Sequence, residues 1–352
     1  MIHIPAESRL LRTMLIVACM VIIIAGMHVA QTIIVILLLA AFITLLCLPS
    51  LNWLLLRNVP PFAAVGMIIF MLLGILAIIA VLVGASLDDL YKNLPEYRAL
   101  AETEFAAVTD WLNRYGLPAS QDQIQRYFDP GVVFGLGKNV LGGLGTIMTH
   151  TFIIFLAVIF MLGEASYFHD KLQAATDNRF KSDFFSTFTG SIQRYMTLKT
   201  AIGLIKGILV GILAAIVGVD YAMVWGFIAF LFNYIPNIGP TLAALPAIVL
   251  AFIDPGPWSA VYLVIGYLTI NVIIGELMEP RFMGQGMGLS TLVVFLSLIT
   301  WAWILGPVGL FLSVPLTMII KIALDSNDDT RWLAILLGPE EQMKSEAPKK
   351  ND

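Results

Sequence analysis

Charge is scarce in this sequence, and its scarcity decides the solvent in which the chain folds. Asp, Glu, Lys and Arg make up 12% of the 352 residues, whereas they make up about 25% of an ordinary soluble domain. Hydrophobic residues reach 59%, so the chain needs a bilayer as its solvent. The formal net charge is −4, and we interpret the Lys349–Lys350 pair as part of a solvated tail. We therefore expect no nucleic-acid partner.

Several chemical signatures are also missing. The two cysteines, Cys19 and Cys47, both lie in apolar runs without a Cys or His at metal-ligand spacing, so we interpret them as buried small hydrophobes. The chain has no glycine-rich phosphate loop ending in Lys-Ser/Thr, no His-Glu-x-x-His and no Gly-x-Ser-x-Gly. These absences argue against an ATPase, a zinc peptidase and a serine hydrolase. We expect no catalytic residues, no metal site and no cofactor.

Six hydrophobic runs have the length of a membrane span, which needs about 20 apolar residues. A second run follows the first almost at once, so we interpret the first as a retained span rather than a cleaved signal peptide. Together the runs predict an all-α polytopic membrane protein with about six full spans. They cover residues 10–27, 32–56, 62–86, 144–162, 200–217 and 259–274.

A polar stretch at residues 87–138 separates the third and fourth runs. Its apolar residues recur at helical spacing, which predicts a small helical insert outside the bilayer. We expect Pro95 to interrupt its first helix or to mark its restart, and Ser120 to cap a later one. The glycine-rich stretch that follows suits either close helix packing in lipid or a flexible loop. Residues 164–199 are polar and mixed in charge, and they predict a pair of amphipathic helices.

Two further hydrophobic segments are broken in the middle by Pro and Gly. Residues 221–253 contain Asn-Tyr-Ile-Pro-Asn-Ile-Gly-Pro at 233–240, and residues 290–324 contain Leu-Gly-Pro-Val-Gly at 305–309. At about 32 to 35 residues, each is too long for one upright span and suits two half-length legs. Each is therefore either a broken span or a re-entrant hairpin, and we favour the hairpin. Two hairpins would enter from opposite faces, with tips meeting near the midplane.

Lysine and arginine set the predicted orientation, because they concentrate in cytoplasmic loops. They flank the first two spans, recur in residues 164–199 and return in the tail, whereas the insert has more acids than bases. Both termini are thus predicted to be cytoplasmic, and the insert extracytoplasmic. We divide the chain into an N-terminal three-helix region, the insert, the fourth span with cytoplasmic helices, a transport core and a cytoplasmic tail. Their residues are 1–86, 87–138, 139–200, 201–324 and 325–352.

The two breaks are where solute chemistry is expected. Non-helical backbone survives at membrane depth only where it is buried in protein or lines a wet cavity. Paired broken segments are therefore a pointer to a transporter site, the alternative being a simple proline kink packed against its neighbours. The candidate residues of the two breaks are Asn233, Pro236, Asn237, Gly239, Pro240, Gly306, Pro307 and Gly309.

A second group of candidates lies at the end of the sixth run. Glu276 and Glu279 are three residues apart and share a helix face. They either carry protons or cations, or one of them pairs with Arg281 at the membrane boundary. Asn271 either faces the same cavity or hydrogen-bonds to another helix. Lys206, inside the fifth run, is expected to snorkel to the cytoplasmic surface.

Several short motifs make the chain recognisable. They are Phe-Asn-Tyr-Ile-Pro-Asn-Ile-Gly-Pro at 232–240, Glu-Pro-Arg at 279–281, the stretch 284–295, Gly-Pro-Val-Gly at 306–309 and Val-Pro-Leu at 314–316. In these motifs the sequence resembles the autoinducer-2 exporter family of bacterial inner-membrane proteins, and most of all the member that gives the family its name. The resemblance extends over nearly the whole chain and is densest and most specific at residues 221–316.

The resemblance implies an inner-membrane transporter that exports autoinducer-2, a small polar quorum-sensing furanone. It also implies a homo-oligomer, a pentamer, and it assigns the transport role to the turns at 233–240, 279–281 and 306–309. Other members look like sodium or lithium/proton antiporters, so the fold alone does not identify the substrate.

Four functions can be weighed on the residues. Secondary-type export by alternating access uses both broken segments and is the function we favour. A cation/proton antiporter would use Glu276 or Glu279, but the spans lack a paired aspartate motif. A channel would need a polar face along one span, which is absent. A non-transporting scaffold protein would have no need for the two broken segments.

Overall fold

The computed structural model describes residues 6–115, 150–165, 167, 171, 179–283, 288–327 and 329–339. Every regular element in these ranges is a helix, which confirms the all-α fold. The elements are α1 (Ala6–Val29), α2 (Gln31–Leu56), α3 (Pro61–Arg114), α4 (His150–Ala165), α5 (Arg179–Val217), α6 (Ala222–Phe232), α7 (Gly239–Ile253), α8 (Pro257–Ile270), α9 (Glu279–Met283), α10 (Thr291–Asp325) and α11 (Arg331–Leu337). A π-helical segment, Asn271–Met278, joins α8 to α9.

Several of these helices have the length and composition of membrane spans. Two predicted spans, the first and the fourth, correspond to shorter apolar helices, Met14–Val29 and His150–Ala165. The structure therefore has several candidate membrane-spanning helices, as a polytopic membrane protein requires, while the number of six full spans stays a prediction. Within the described residues, the five helices that are long and apolar enough to cross a membrane are Gln31–Leu56, Pro61–Leu90, Thr189–Val217, Pro257–Phe282 and Thr291–Asp325.

Helix α3 is longer than predicted. It runs for 54 residues without interruption, so the third span continues directly into the insert. The prediction that Pro95 interrupts this helix is wrong. Pro95 is exposed, and the carbonyl that its missing N–H leaves free can bind water there. Ser120 and the glycine-rich stretch lie outside the described residues.

Helix α5 joins two predicted elements. It runs for 39 residues, so the second amphipathic helix and the fifth span form one helix. No proline separates the two parts, and nothing in the backbone therefore ends the helix between them. Most of the first amphipathic helix lies outside the described residues.

The first broken segment folds back on itself as a helical hairpin. Helices α6 and α7, of 11 and 15 residues, are joined by a short turn. The two ends of the segment lie together, because a β-carbon on Gly218 would stand 3.5 Å from Pro255 Cγ. Pro240 lies in the first turn of α7, where its missing N–H costs no hydrogen bond. A β-carbon on Gly239 would overlap the Phe232 carbonyl oxygen, so the turn requires glycine there.

The second broken segment, α10, also folds back. Gly306 is non-helical, with φ 66° and ψ −152°, and separates legs at 291–305 and 307–325. In a straight helix Trp301 and Thr317 would stand about 24 Å apart. Instead, Trp301 Nε1 donates a hydrogen bond to Thr317 Oγ1 at 3.0 Å. Pro307 begins the second leg, and Gly309 packs against the Trp301 carbonyl oxygen. Both hairpins thus use a Gly-Pro step to start their second leg.

The chain divides into two compact units, Met1–Ile43 with Leu289–Asp352, and Thr44–Gly288. In the first unit, His28 stacks on Trp303 with ring centroids 5.3 Å apart. Cys19 is exposed there, contrary to the prediction, because α1 presents most of its side chains outward. The α6–α7 hairpin belongs to the second unit and α10 to the first. That the two tips meet stays a prediction, as do the five domain boundaries.

Candidate functional site

A cavity of about 160 Å³ lies in the second unit, between α5, the α6–α7 hairpin and α8. A cavity needs only about 10–15 Å³ to hold one water, so this one can hold a small organic solute. Its wall is mostly apolar, which together with a few convergent polar groups is typical of small-molecule sites. The polar side chains that line it are Lys206, Asn233, Thr241, Tyr267 and Asn271.

Two of these lining residues carry a buried polar atom without a hydrogen-bond partner among the described residues. Asn233 is 2% exposed and Tyr267 is 8% exposed. The Asn233 amide nitrogen donates to the Lys199 carbonyl oxygen at 3.4 Å. Neither Asn233 Oδ1 nor Tyr267 OH has a hydrogen-bond partner among the described residues. A buried unpaired polar atom costs about 1–3 kcal/mol, so a polar molecule that reached these two atoms would gain free energy by pairing with them.

Lys206 closes the polar end of the cavity. Its side chain is only 7% exposed, and Nζ donates to Asn271 Oδ1 at 3.2 Å. Glu279 Oε2 lies 3.9 Å from the same nitrogen. Gly275 makes room for the ammonium, because a β-carbon there would stand 2.9 Å from Nζ. The prediction that Lys206 snorkels to the surface is wrong, since acceptors on the neighbouring helix lie within its reach.

Glu279 links two lysines of α5. Its Oε1 forms an ion pair with Lys199 Nζ, and both side chains are largely buried. Asn271, Gly275 and Glu279 follow at four-residue spacing along the π-helical segment and its end. They therefore form one stripe that faces α5, which we call the polar stripe after its Asn and Glu side chains. π-Helical segments of this kind are often found at functional sites.

The other candidates from this helix lie apart from the polar stripe. Glu276 and Arg281 are exposed, and neither makes an ion pair within the described part of the chain. Of the two predicted acids, only Glu279 joins the buried cluster, and its partners are lysines rather than Arg281.

The candidates of the first turn fall into two groups. Asn233 and Pro240 line the cavity, and Gly239 holds the turn closed against Phe232. Asn237 is exposed and has φ 62°, a left-handed conformation that Asn tolerates better than most residues. Pro236 is half-buried, and its carbonyl accepts from Ile238 N at 2.7 Å.

The candidates of the second turn belong to the unit that does not contain this cavity. Gly306, Pro307 and Gly309 form the tip of the α10 hairpin. A β-carbon on Gly306 would stand 2.7 Å from Gln31 Nε2. Gln31, which the sequence does not single out, is thus the polar side chain nearest to this tip.

Sequence reasoning missed Lys199 and Tyr267 as parts of the site and misplaced Lys206. A signal for the lysines was present, since Lys199 and Lys206 are seven residues apart and share one face of a helix. The Asn271, Gly275, Glu279 spacing offers the complementary face. Tyr267 lies among ordinary apolar residues of α8, so nothing local distinguishes it.

Comparison with known proteins places the chain in a family. The profile of the AI-2E family transporter matches residues 17–327. The chain is 38% identical to the AI-2 transport protein TqsA of Escherichia coli K12, over 93% of this chain and 95% of that protein. It is 36% identical to a putative transport protein of Haemophilus influenzae, over 95% and 98% of the two chains. It is 33% identical to the putative transport protein YhhT of Escherichia coli K12, over 92% and 93%. The chain therefore belongs to the AI-2E transporter family.

Proposed function

We propose that this protein exports autoinducer-2 across the bacterial inner membrane, with the solute bound in the cavity beneath the α6–α7 turn. The cavity carries the proposal, because Asn233 Oδ1 and Tyr267 OH are buried there without partners. A small solute rich in hydroxyl and carbonyl groups would supply those partners. The identity of the solute comes from the name of the Escherichia coli relative, an AI-2 transport protein.

The same geometry supports a membrane topology with two re-entrant hairpins. Lys199 lies near the start of the α5 span, and Glu279 lies near the end of the α8 span. Their ion pair supports a topology in which these two ends lie at one face of the membrane. In that topology the α6–α7 segment between them would enter and leave on the opposite, extracytoplasmic face. The α10 hairpin would then enter from the cytoplasmic face, and both termini would be cytoplasmic.

Alternating access would follow from movement of the α6–α7 hairpin against α8. The cavity lies between these elements, so separating them at either end opens it to one side of the membrane. The Gly-Pro steps at 239–240 and 306–307 supply hinge points where few backbone hydrogen bonds need to break. We further propose that the transporter works as a homo-oligomer, a pentamer.

Solute efflux from proteoliposomes tests the proposal. Vesicles loaded with autoinducer-2 should release it faster when they contain the protein, without a requirement for sodium or lithium. Asn233→Ala should lower the initial rate about tenfold, the value of one lost hydrogen bond to the solute. Asn237→Gly is the matched control in the same turn and should leave the rate within about twofold, since glycine tolerates positive φ.

Two results would contradict this function. Sodium- or lithium-dependent proton movement without release of autoinducer-2 would replace the exporter with a cation/proton antiporter. Equal rates for the wild-type protein and folded Asn233→Ala would remove the cavity from the transport path.

A further inference from the structure

A charge cluster beside the polar end of the cavity holds more positive than negative charge, and Lys206 is its member that lines the cavity. Lys199, Lys206 and Glu279 meet there, so two ammonium groups share one carboxylate. Both lysines are 6% exposed. Within the described residues, the exposed side chains of Arg194, Glu276 and Arg281 on the same helices make no ion pair and do not offset this excess. A buried charge without a counter-charge is expensive, and a bound anion would offset this excess.

The geometry assigns the excess to Lys206 rather than to Lys199. Lys199 forms the close ion pair with Glu279 Oε1. Lys206 Nζ is 3.9 Å from Glu279 Oε2, which is beyond hydrogen-bond distance. An ammonium has three donors, and Asn271 Oδ1 accepts only one of them. Lys206 lines the cavity, so its remaining donors are available to whatever occupies it.

Because Gly275 has no side chain, it leaves a notch in its helix that accommodates the ammonium of Lys206. A β-carbon at Gly275 would crowd both Lys206 Nζ and Asn271 Oδ1, at 2.9 and 3.1 Å. The notch lets the Lys206 ammonium lie against the helix that carries Glu279 and still line the cavity. Asn233 on the hairpin and Tyr267 on α8 line the same cavity, and each carries a buried, uncharged polar atom without a partner among the described residues.

We propose that the cavity selects a solute that carries a negative charge, with the anionic oxygen bound to Lys206. The hydroxyl groups of that solute would donate to Asn233 Oδ1 and bond to Tyr267 OH. A neutral solute of the same shape would satisfy these two groups but leave the lysine uncompensated. The substrate class is therefore a small hydroxylated organic anion. This inference rests on the proposed function for the place where the solute binds, and it requires autoinducer-2 to bind there in an anionic form.

Two probes that share a three-carbon skeleton test the charge preference. D-Glycerate carries a carboxylate where glycerol carries a hydroxymethyl group, and both are small enough for the cavity. Calorimetric titration of the purified full chain should give a dissociation constant at least about tenfold lower for glycerate than for glycerol. Lys206→Gln should abolish that difference. Lys171→Gln is the matched control, since Lys171 is exposed and pairs with Glu164 outside the cavity, and it should keep the difference.

Two further variants distinguish a charge effect from damage to the fold. Lys206→Arg keeps the positive charge and should keep the preference for glycerate. Glu279→Gln removes the only carboxylate of the cluster and should strengthen glycerate binding, whereas a purely structural Glu279 would weaken it. Equal binding of both probes by the wild-type protein, or an undiminished preference in Lys206→Gln, overturns the proposal.

These results separate the two proposals. A preference for glycerate that depends on Lys206, without release of autoinducer-2 from proteoliposomes, would contradict the proposed export function and leave the anion site standing. Release of autoinducer-2 that depends on Asn233, with equal binding of glycerate and glycerol, would contradict the anion site alone.

Discussion

Gly275 lies against the ammonium of Lys206, where a β-carbon would stand 2.9 Å from Nζ. Gly275→Ala should displace this flexible lysine head away from the cavity without a large loss of stability. We expect the preference for glycerate over glycerol to fall at least about threefold, as measured by calorimetric titration. Gly74→Ala is the control, since nothing lies within 4 Å of its β-carbon position. An unchanged preference in folded Gly275→Ala would contradict the role of the notch.

The contact between α5 and α6 depends on two glycines. A β-carbon on Gly226 would stand 2.6 Å from the Gly207 carbonyl oxygen, and small residues at such crossings let helices approach closely in lipid. Gly226→Ala should lower the free energy of unfolding by about 1–3 kcal/mol, the range for overpacked sites. Gly190→Ala, also in α5 and with nothing within 4 Å, should not destabilise. Unfolding in mixed micelles measures both, and equal stabilities would refute the close contact.

Tyr97 anchors the start of the α6–α7 hairpin to the part of α3 beyond its membrane span. Its hydroxyl donates to Asp220 Oδ2 at 2.7 Å, and Tyr221 OH lies 3.4 Å away. Tyr97→Phe removes the hydrogen bond to the carboxylate and should cost about 1.5–3 kcal/mol at neutral pH. Chemical unfolding of the two proteins under identical conditions measures the difference.

The same pair of proteins gives a pH-dependent signature. Burial, followed by the hydrogen bonds to Tyr221 and Asp220, raises the pKa of Tyr97 above its ordinary value. The folded chain thus holds this proton more tightly than the unfolded chain. The stabilisation is complete below about pH 10, the ordinary tyrosine pKa, and declines as the pH rises above it toward the folded-state pKa. The stability gap between wild type and Tyr97→Phe should therefore narrow above pH 10. A constant gap would contradict the assignment.

The reactivity of one engineered thiol tests which side of the membrane the loop after α9 faces. Met283 ends α9, and the proposed re-entrant hairpin would place it on the cytoplasmic side. In a chain whose Cys19 and Cys47 are replaced by serine and alanine, Met283→Cys should resist a membrane-impermeant maleimide in intact cells. It should react in inverted vesicles. Labelling in intact cells would favour a broken span at 221–253.

The sequence predicts the hairpins better than it predicts the polar cluster. Segment length and the Gly-Pro steps at 239–240 and 306–307 are local features, and together they predict a break in the middle of each segment, which the structure shows as two folded-back helical hairpins. The rule that proline ends a helix fails at Pro95. A long helix can accommodate an exposed proline, because water can bind the carbonyl that the proline leaves unpaired.

The cluster depends on distant residues and could be predicted only in part. Asn271 and Glu279 are unusual enough in an apolar run to be singled out. Their partners lie 65 and 80 residues away along the chain, and no local pattern links the helices. Snorkelling is the ordinary outcome for a lysine near a membrane boundary. Lys206 departs from it because Gly275 leaves a space that a single missing side chain creates.

The proposed anion site at Lys206 also bears on what would drive the proposed export. The interior of a respiring bacterium is electrically negative, so an anion that moves outward runs down the membrane potential. At 100 mV one elementary charge gains about 2.3 kcal/mol, equivalent to a concentration ratio of about 50. A solute that leaves as an anion needs no counter-ion from outside. Glu279, which sequence reasoning considers as a proton carrier, would then serve to neutralise Lys199, and the voltage itself would power the transporter.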